Sequence, residues 1–213
     1  MRKHLTVVLI MIVAALTFSC ADPAANKPKA TVTNAQPEAN VSKPAAGEKL
    51  VISPENSKVE FVAAKVTRTH QGSFKQFGGT IDLVPTSIPD SRVTIDIETK
   101  SVVTDENDLT NHLKTADFFD VAKYPKATFI STKIEPGNAG DGTYIVTGNF
   151  DLHGVKKSIT FPATIQIAPD STSVNAEFSI NRKDFGIVYA GKADDLIRDG
   201  VVIKLTVKAP RPK

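Results

Sequence analysis

The chain has 213 residues, 26 Lys and Arg against 23 Asp and Glu, a formal net charge of +3, one Cys and no Trp. So nearly balanced a charge, with no stripe of basic residues interleaved with aromatics, excludes nucleic acid as the partner. A single cysteine excludes any disulfide within the chain.

Arg2 and Lys3 precede an apolar run from Leu5 to Phe18 that ends at Ser19-Cys20. A charged start before an apolar stretch too short to span a bilayer comfortably reads as a secretory signal peptide over residues 1–20. Leu16-Thr17-Phe18-Ser19-Cys20 resembles a lipobox. Lipidation is expected at Cys20, where a diacylglyceryl thioether would form on the sulfur and the new N-terminus could then be acylated, giving the two or more chains that stable anchoring needs. The expected location is the bacterial cell envelope, as a periplasm-facing lipoprotein, or a secreted or periplasmic protein if Cys20 stays unmodified.

Residues 21–48 hold eight Ala, four Pro, no aromatic side chain and balanced charges. Such a segment cannot bury a core and is expected to be a disordered tether. As a flexible coil it would span an r.m.s. distance of about 30 Å.

Residues 49–213 suit one β domain with a substantial core. Val59–Val66 opens a series of strands and Gly72–Leu83 follows, with Gly78-Gly79 read as a bulge or bend. Val93, Ile95 and Ile97 then alternate with Thr94, Asp96 and Glu98, the pattern of a strand buried on one face. Leading into and along the stretch from Asn111 to Phe129, Leu109, Leu113 and Ala116 recur at helical spacing, Phe118 and Phe119 follow, and Pro125 stops the helix because its ring removes a donor and disfavours a helical Tyr124.

Alternation resumes over Ala127–Ile134, Tyr144–Leu152, Ile159–Ile167, Val174–Ile180 and Val201–Val207, with Pro136-Gly137 and Asp141-Gly142 as turns and His153-Gly154 where a hairpin should reverse. The fold class is therefore all-β: about eight antiparallel strands with one short helix in the connection after the third. Periodicity alone leaves a two-sheet sandwich and a closed barrel both open.

The Asn111–Phe129 stretch, NHLKTADFFDVAKYPKATF, is similar to the central signature of the YceI-like family. Val93–Asp96 with Ser101–Thr104, Thr147–Lys157 and Ile180–Gly186 resemble further family patterns in the same order, and the resemblance covers Ile52 to Ala209. It implies an eight-stranded lipocalin-like β-barrel with an apolar tunnel that in some members holds a polyisoprenoid or another long-chain amphiphile. A dry tube lined by large apolar side chains, with polar groups at its mouth, suits such a ligand.

Strand parity turns Phe61, Phe74, Ile95, Phe129, Phe150, Phe161, Phe178 and Ile203 inward, and these are the expected ligand-binding residues of the barrel interior. Phe118 and Phe119 either close one end of the barrel or pack helix to sheet. His70, His112 and His153 read as isolated surface or turn residues, with no metal-ligand spacing. Arg182 and Asp184 offer either a head-group contact or a structural ion pair. No activated nucleophile, carboxylate pair or phosphate loop is present, so no catalysis and no cofactor are expected.

The expected function is a membrane-tethered binding protein that sequesters or carries a polyisoprenoid or quinone-like lipid. Its expected partners are that lipid and, through lipidated Cys20, the membrane; a homodimer stays open. The alternative is an envelope-stress or protein-interaction module whose barrel is filled by side chains and whose Thr67–Gln71 loop recognises a protein.

Overall fold

The computed structural model describes residues 21–37, 47–138 and 142–211. Residues 1–20, with the expected signal peptide and Cys20, lie outside the described residues. Fourteen strands and one α-helix make up the described chain: β1 (Thr31–Asn34), β2 (Glu48–Ile52), β3 (Ser57–Ala64), β4 (Thr69–Phe74), β5 (Phe77–Leu83), β6 (Arg92–Glu98), β7 (Val102–Thr104), α1 (Asn107–Leu113), β8 (Lys126–Pro136), β9 (Thr143–Leu152), β10 (Val155–Ile167), β11 (Ser171–Asn181), β12 (Gly191–Lys192), β13 (Asp195–Leu196) and β14 (Gly200–Pro210).

Twelve of these strands form one antiparallel sheet that curls strongly on itself, in the order β2-β5-β6-β8-β9-β10-β11-β14-β3-β4-β7, with β1 added beside β10. The two arms of this path are tied by the chain, because β2 runs into β3 through a turn at Ser53–Asn56 and β4 into β5 through Lys75-Gln76. Arg211, beyond β14, reinforces the wrap by donating to both carboxylate oxygens of Glu48 on β2, at 2.7 and 2.5 Å.

Alternation drives the curl. Ile95 and Ile97 of β6, Ile159, Phe161, Ala163 and Ile165 of β10, and Ala176, Phe178 and Ile180 of β11 are all buried in one continuous core, while their sequence neighbours are mostly polar and face outward. The β9–β10 hairpin reverses at His153-Gly154, with φ of 54° and 73°, the left-handed pair that a two-residue turn matching strand twist requires.

Several expectations change. Eight strands become twelve in the main sheet, partly because Gly72–Leu83 is two strands, β4 and β5, broken at Lys75-Gln76. Gly78-Gly79 is no bulge: both residues pair regularly with β6, and a Cβ on Gly79 would lie 2.1 Å from the Thr94 carbonyl oxygen, so close backbone approach requires glycine there. The sheet's irregularity falls instead between Ser131 and Lys133 on β8. The helix starts earlier and ends earlier than its periodicity suggests, stopping at Leu113, after which Ala116–Phe119 continue as turns.

The largest change concerns the expected tether over 21–48. Residues 38–46 lie outside the described residues, but 28–34 are built into the wall. β10 pairs with β11 only over Thr164–Ile167, so the two strands separate further along. Into that gap runs the N-terminal segment: β1 pairs with Ser158–Thr160 and Lys157 of β10, while Ser179 of β11 exchanges backbone hydrogen bonds with Pro28 and Ala30, both at 2.8 Å. Ala30 is only 3% exposed. Beyond β1, the Gln36 amide donates to Asn149 Oδ1 and Asn149 Nδ2 donates back to the Gln36 carbonyl, each at 2.8 Å. Composition argued against a core, yet a segment needs none of its own when it fills a slot with unpaired backbone groups on both sides.

Candidate ligand tunnel

Three adjoining cavities run through the curl. The innermost, about 80 Å³, is lined by thirteen hydrophobic side chains and Glu60. All eight residues that strand parity turned inward line it: Phe61 on β3, Phe74 on β4, Ile95 on β6, Phe129 on β8, Phe150 on β9, Phe161 on β10, Phe178 on β11 and Ile203 on β14. Phe161 and Phe178 stack with centroids 4.1 Å apart and planes 13° from parallel, and Phe129 tilts against Phe161 at 5.7 Å.

A neck of about 110 Å³ follows, sharing Phe61, Phe74, Phe150 and Ile203 with the inner cavity and adding Leu113, Phe118, Phe119 and Ile187. The neck opens into a mouth of about 330 Å³ that shares Phe61, Leu113 and Phe118 and adds Lys65, His70, Glu106, His112, Tyr189, Lys192 and Asp195. Phe61 is common to all three. The lining therefore grades from apolar, Glu60 excepted, to charged along one direction.

The Asn111–Phe129 segment makes the collar between neck and mouth. Phe119 meets Phe74 edge-on at 5.6 Å, and Phe118 meets the rings of His112 at 4.9 Å and Tyr189 at 5.4 Å. Its Tyr-Pro stop is held from below, since Thr99 Oγ1 donates to the Tyr124 carbonyl and the Thr99 amide to that of Pro125. Tyr124 also packs on the β9–β10 turn, where its ring lies 4.7 Å from His153 and a Cβ on Gly154 would come 2.3 Å from it.

Ion pairs brace the mouth. Lys65 Nζ lies 2.5 Å from Asp195, which also accepts from the Thr67 hydroxyl at 2.9 Å, and these contacts, the Lys65 hydrogen bond foremost, hold the Asp195 carboxyl below its ordinary range. Arg68 pairs with Glu106. His70 Nδ1 sits 3.0 Å from Asp105 Oδ1. Burial pushes the Asp105 carboxyl upward, but the His70 hydrogen bond, the Gln71 amide and the charges of His70 and Arg68 outweigh it and leave the group lowered. Thr67–Gln71, expected as a loop, is the end of the β3–β4 turn and the start of β4, and it is fastened at both ends to other elements of the rim.

Arg182 is 4% exposed in the neck wall. Its guanidinium donates to the carbonyls of Ile187, Ile197 and Arg198 and to Asp199 Oδ1 at 2.7, 3.4, 3.2 and 3.3 Å. Burial draws its pKa below the ordinary arginine value, opposed by the Asp199 charge. Its acidic partner is therefore Asp199 and not the expected Asp184, which faces a separate open surface pocket beside Val32–Asn34. The role is structural: Arg182 gathers the 187–199 segment, with its β12–β13 hairpin, that forms one side of the mouth.

The histidines also differ from expectation. His70 is buried and His112 packs among aromatic rings, and both line the mouth, although His153 does occupy its turn. Among the described residues no group of three or more His, Cys, Asp or Glu side chains converges to hold a metal. Sequence reading missed Lys65, Glu106, Tyr189, Lys192 and Asp195, because the mouth is assembled from loops far apart in the chain and none of these residues belongs to a periodic pattern.

The family model of the YceI-like domain matches residues 50–209. The chain belongs to the YceI-like family. Among curated relatives, a UPF0312 protein of Pseudomonas putida is 35% identical over 126 residues, 56% of this chain and 65% of that protein. The matched region thus spans somewhat less than two thirds of that relative. Among solved structures, BcnA of Burkholderia cenocepacia superposes with a TM-score of 0.67 at 25% identity, covering 74% of this chain and 99% of that one. A polyisoprenoid binding domain from Saccharophagus degradans gives a TM-score of 0.62 at 18% identity over 78% of this chain and all of the other, a likeness of fold.

Proposed function

We propose that this YceI-like protein is a periplasm-facing, membrane-tethered binding protein that sequesters or carries a polyisoprenoid or quinone-like lipid. The observation that carries this reading is the grading of the tunnel from an inner end lined by thirteen hydrophobic side chains and Glu60 to a charged mouth. An amphiphile matches that gradient, with its chain inward along Phe61, Phe74 and Phe150 and its head among Lys65, His70 and Tyr189. The polyisoprenoid binding domain from Saccharophagus degradans, which shares the fold, supports the choice of ligand class. In this reading Phe61, Phe74, Ile95, Phe129, Phe150, Phe161, Phe178 and Ile203 contact the chain, and lipidated Cys20 supplies the anchor.

Size sets a condition on this reading. An inner cavity of about 80 Å³ is smaller than the ~150 Å³ engineered cavity that admits benzene. A long chain therefore enters the mouth and neck first and reaches the inner end only as the Phe161–Phe178 stack turns aside.

Thermal unfolding with added polyprenol tests the binding. A ligand at 100 times its Kd stabilises by about 2.7 kcal/mol, so Tm should rise, whereas an unchanged Tm across the soluble range counts against a lipid ligand. For the anchor, Cys20→Ser should move the protein from the membrane fraction to the soluble one, and unchanged fractionation contradicts lipidation. The narrow inner cavity favours a second reading, an envelope-stress or protein-interaction module with a filled interior. That reading gains if a membrane pull-down yields a partner lost on altering Thr67–Gln71 while polyprenol leaves Tm unmoved.

A further inference from the structure

Among the described residues four large hydrophobic side chains are exposed, Val51, Val66, Val188 and Leu196. Scattered singly, such residues are ordinary surface. Three of them, however, gather at one place. Val66 follows Lys65 in the mouth lining, and its amide donates to the Leu196 carbonyl at 3.0 Å. Leu196 stands between Asp195 and Ile197, and Val188 between Ile187 and Tyr189, all residues of the neck or mouth. The segments that carry Val188 and Leu196 are joined by the Ile197 amide donating to the Ala190 carbonyl at 2.9 Å. The fourth, Val51, lies on β2 beside the Ser53–Asn56 turn, at the other end of β3 from the mouth.

The N-terminal segment reaches the body of the protein at this same rim. Asp22 lies 3.8 Å from Arg198, the residue after mouth-lining Ile197, and the Arg198 amide donates to the carbonyl of mouth-lining Ala64. Ala24 lies against Gly200. In the sequence only Ala21 separates Cys20 from Asp22. An anchor at Cys20 therefore has no long tether, because the chain is fixed to the wall within a few residues of it.

From these two observations we propose that the tunnel rim docks on a lipid bilayer, with Val66, Val188 and Leu196 entering the interface and the mouth facing the membrane. This rests on the reading of the protein as an anchored lipid binder and adds its orientation. A short attachment beside the mouth sets the rim against the bilayer, and exposed aliphatic side chains around the mouth of an apolar tunnel are what an interfacial contact buries. An amphiphile then passes between bilayer and neck without its chain crossing water.

The test uses protein starting at residue 20 with Cys20→Ser, which removes the sole native thiol, and a hexahistidine tag in front of it that keeps the short attachment by binding a nickel-chelating lipid included in the vesicles, with a new cysteine at Val188→Cys, Leu196→Cys or Val51→Cys labelled by an environment-sensitive fluorophore. Vesicles of phosphatidylethanolamine and phosphatidylglycerol are added, with and without brominated lipid. Docking is supported by a blue shift and bromine quenching at 188 and 196 and by neither at 51. Equal responses at all three positions, or none at 188 and 196, overturn it. A blue shift at 188 and 196 that appears without vesicles as protein concentration rises also overturns it, assigning the rim to a second copy of the chain. Polyprenol-dependent Tm shifts measured on the same proteins separate the two readings: a Tm shift without docking removes only the orientation, and docking without a Tm shift removes only the ligand.

Discussion

Phe61 lies across Gly72 on the neighbouring strand, so closely that a Cβ on Gly72 would come 2.2 Å from the tip of the ring. Its ring is also the one side chain shared by inner cavity, neck and mouth. The bare glycine backbone is therefore what lets the ring lie back against the wall and leave the passage open.

Gly72→Ala should push the Phe61 ring into the passage. Overpacking of this kind costs about 1–3 kcal/mol, read by denaturant unfolding, and it should weaken polyprenol binding. Adding Phe61→Leu should restore part of both losses, since the two residues are in contact and their effects do not add. Purely additive effects in this pair would show that the ring does not set the width of the passage.

At the collar, Phe118 is buried between His112 and Tyr189. Phe118→Ala removes the ring that narrows the step from neck to mouth. The expected cost is about 3–5 kcal/mol of stability, with faster release of a fluorescent polyene in stopped-flow exchange.

The N-terminal segment should unfold with the wall it completes. Asn149 is buried and exchanges two hydrogen bonds with Gln36, and leaving such backbone groups unpaired costs about 1–3 kcal/mol. Asn149→Ala should lower Tm and speed hydrogen exchange of the amides in 29–36, while exchange in β6 stays slow.

How legible this was depends on the kind of contact. The alternation of Val93, Ile95 and Ile97, and of Ile159, Phe161, Ala163 and Ile165, comes from burial of one face, so the inward set could be read directly. Thr31-Val32-Thr33 carries a strand's β-branched residues too, but four residues in an Ala and Pro background hold too little signal, and what recruits them is the separation of β10 from β11 far along the chain. The mouth is harder still: Lys65 and Asp195 meet through tertiary structure alone, and nothing local to either position encodes the other.

Asp105 supplies the pH dependence. Its carboxyl titrates below its unfolded value in the folded protein, so its contribution to stability is complete above the ordinary carboxylate range and fades as pH falls through the lowered value. Asp105→Asn should flatten the acid limb of the stability curve near pH ~4 and below, and should loosen the Thr67–Gln71 segment at neutral pH, seen as faster hydrogen exchange at Gln71. An acid limb identical to that of the native chain would assign acid sensitivity elsewhere, for example to Glu48, whose carboxyl is lowered by its hydrogen bond to Arg211.

The most direct test of lipid carriage is mass spectrometry of an organic extract from full-length protein purified out of its native envelope. A polyisoprenoid or quinone-like species is expected in near-stoichiometric amount, displaced from the Phe161→Trp protein, in which the larger ring fills the inner cavity. An extract free of long-chain lipid, from protein that also gives no Tm shift with polyprenol, would contradict it.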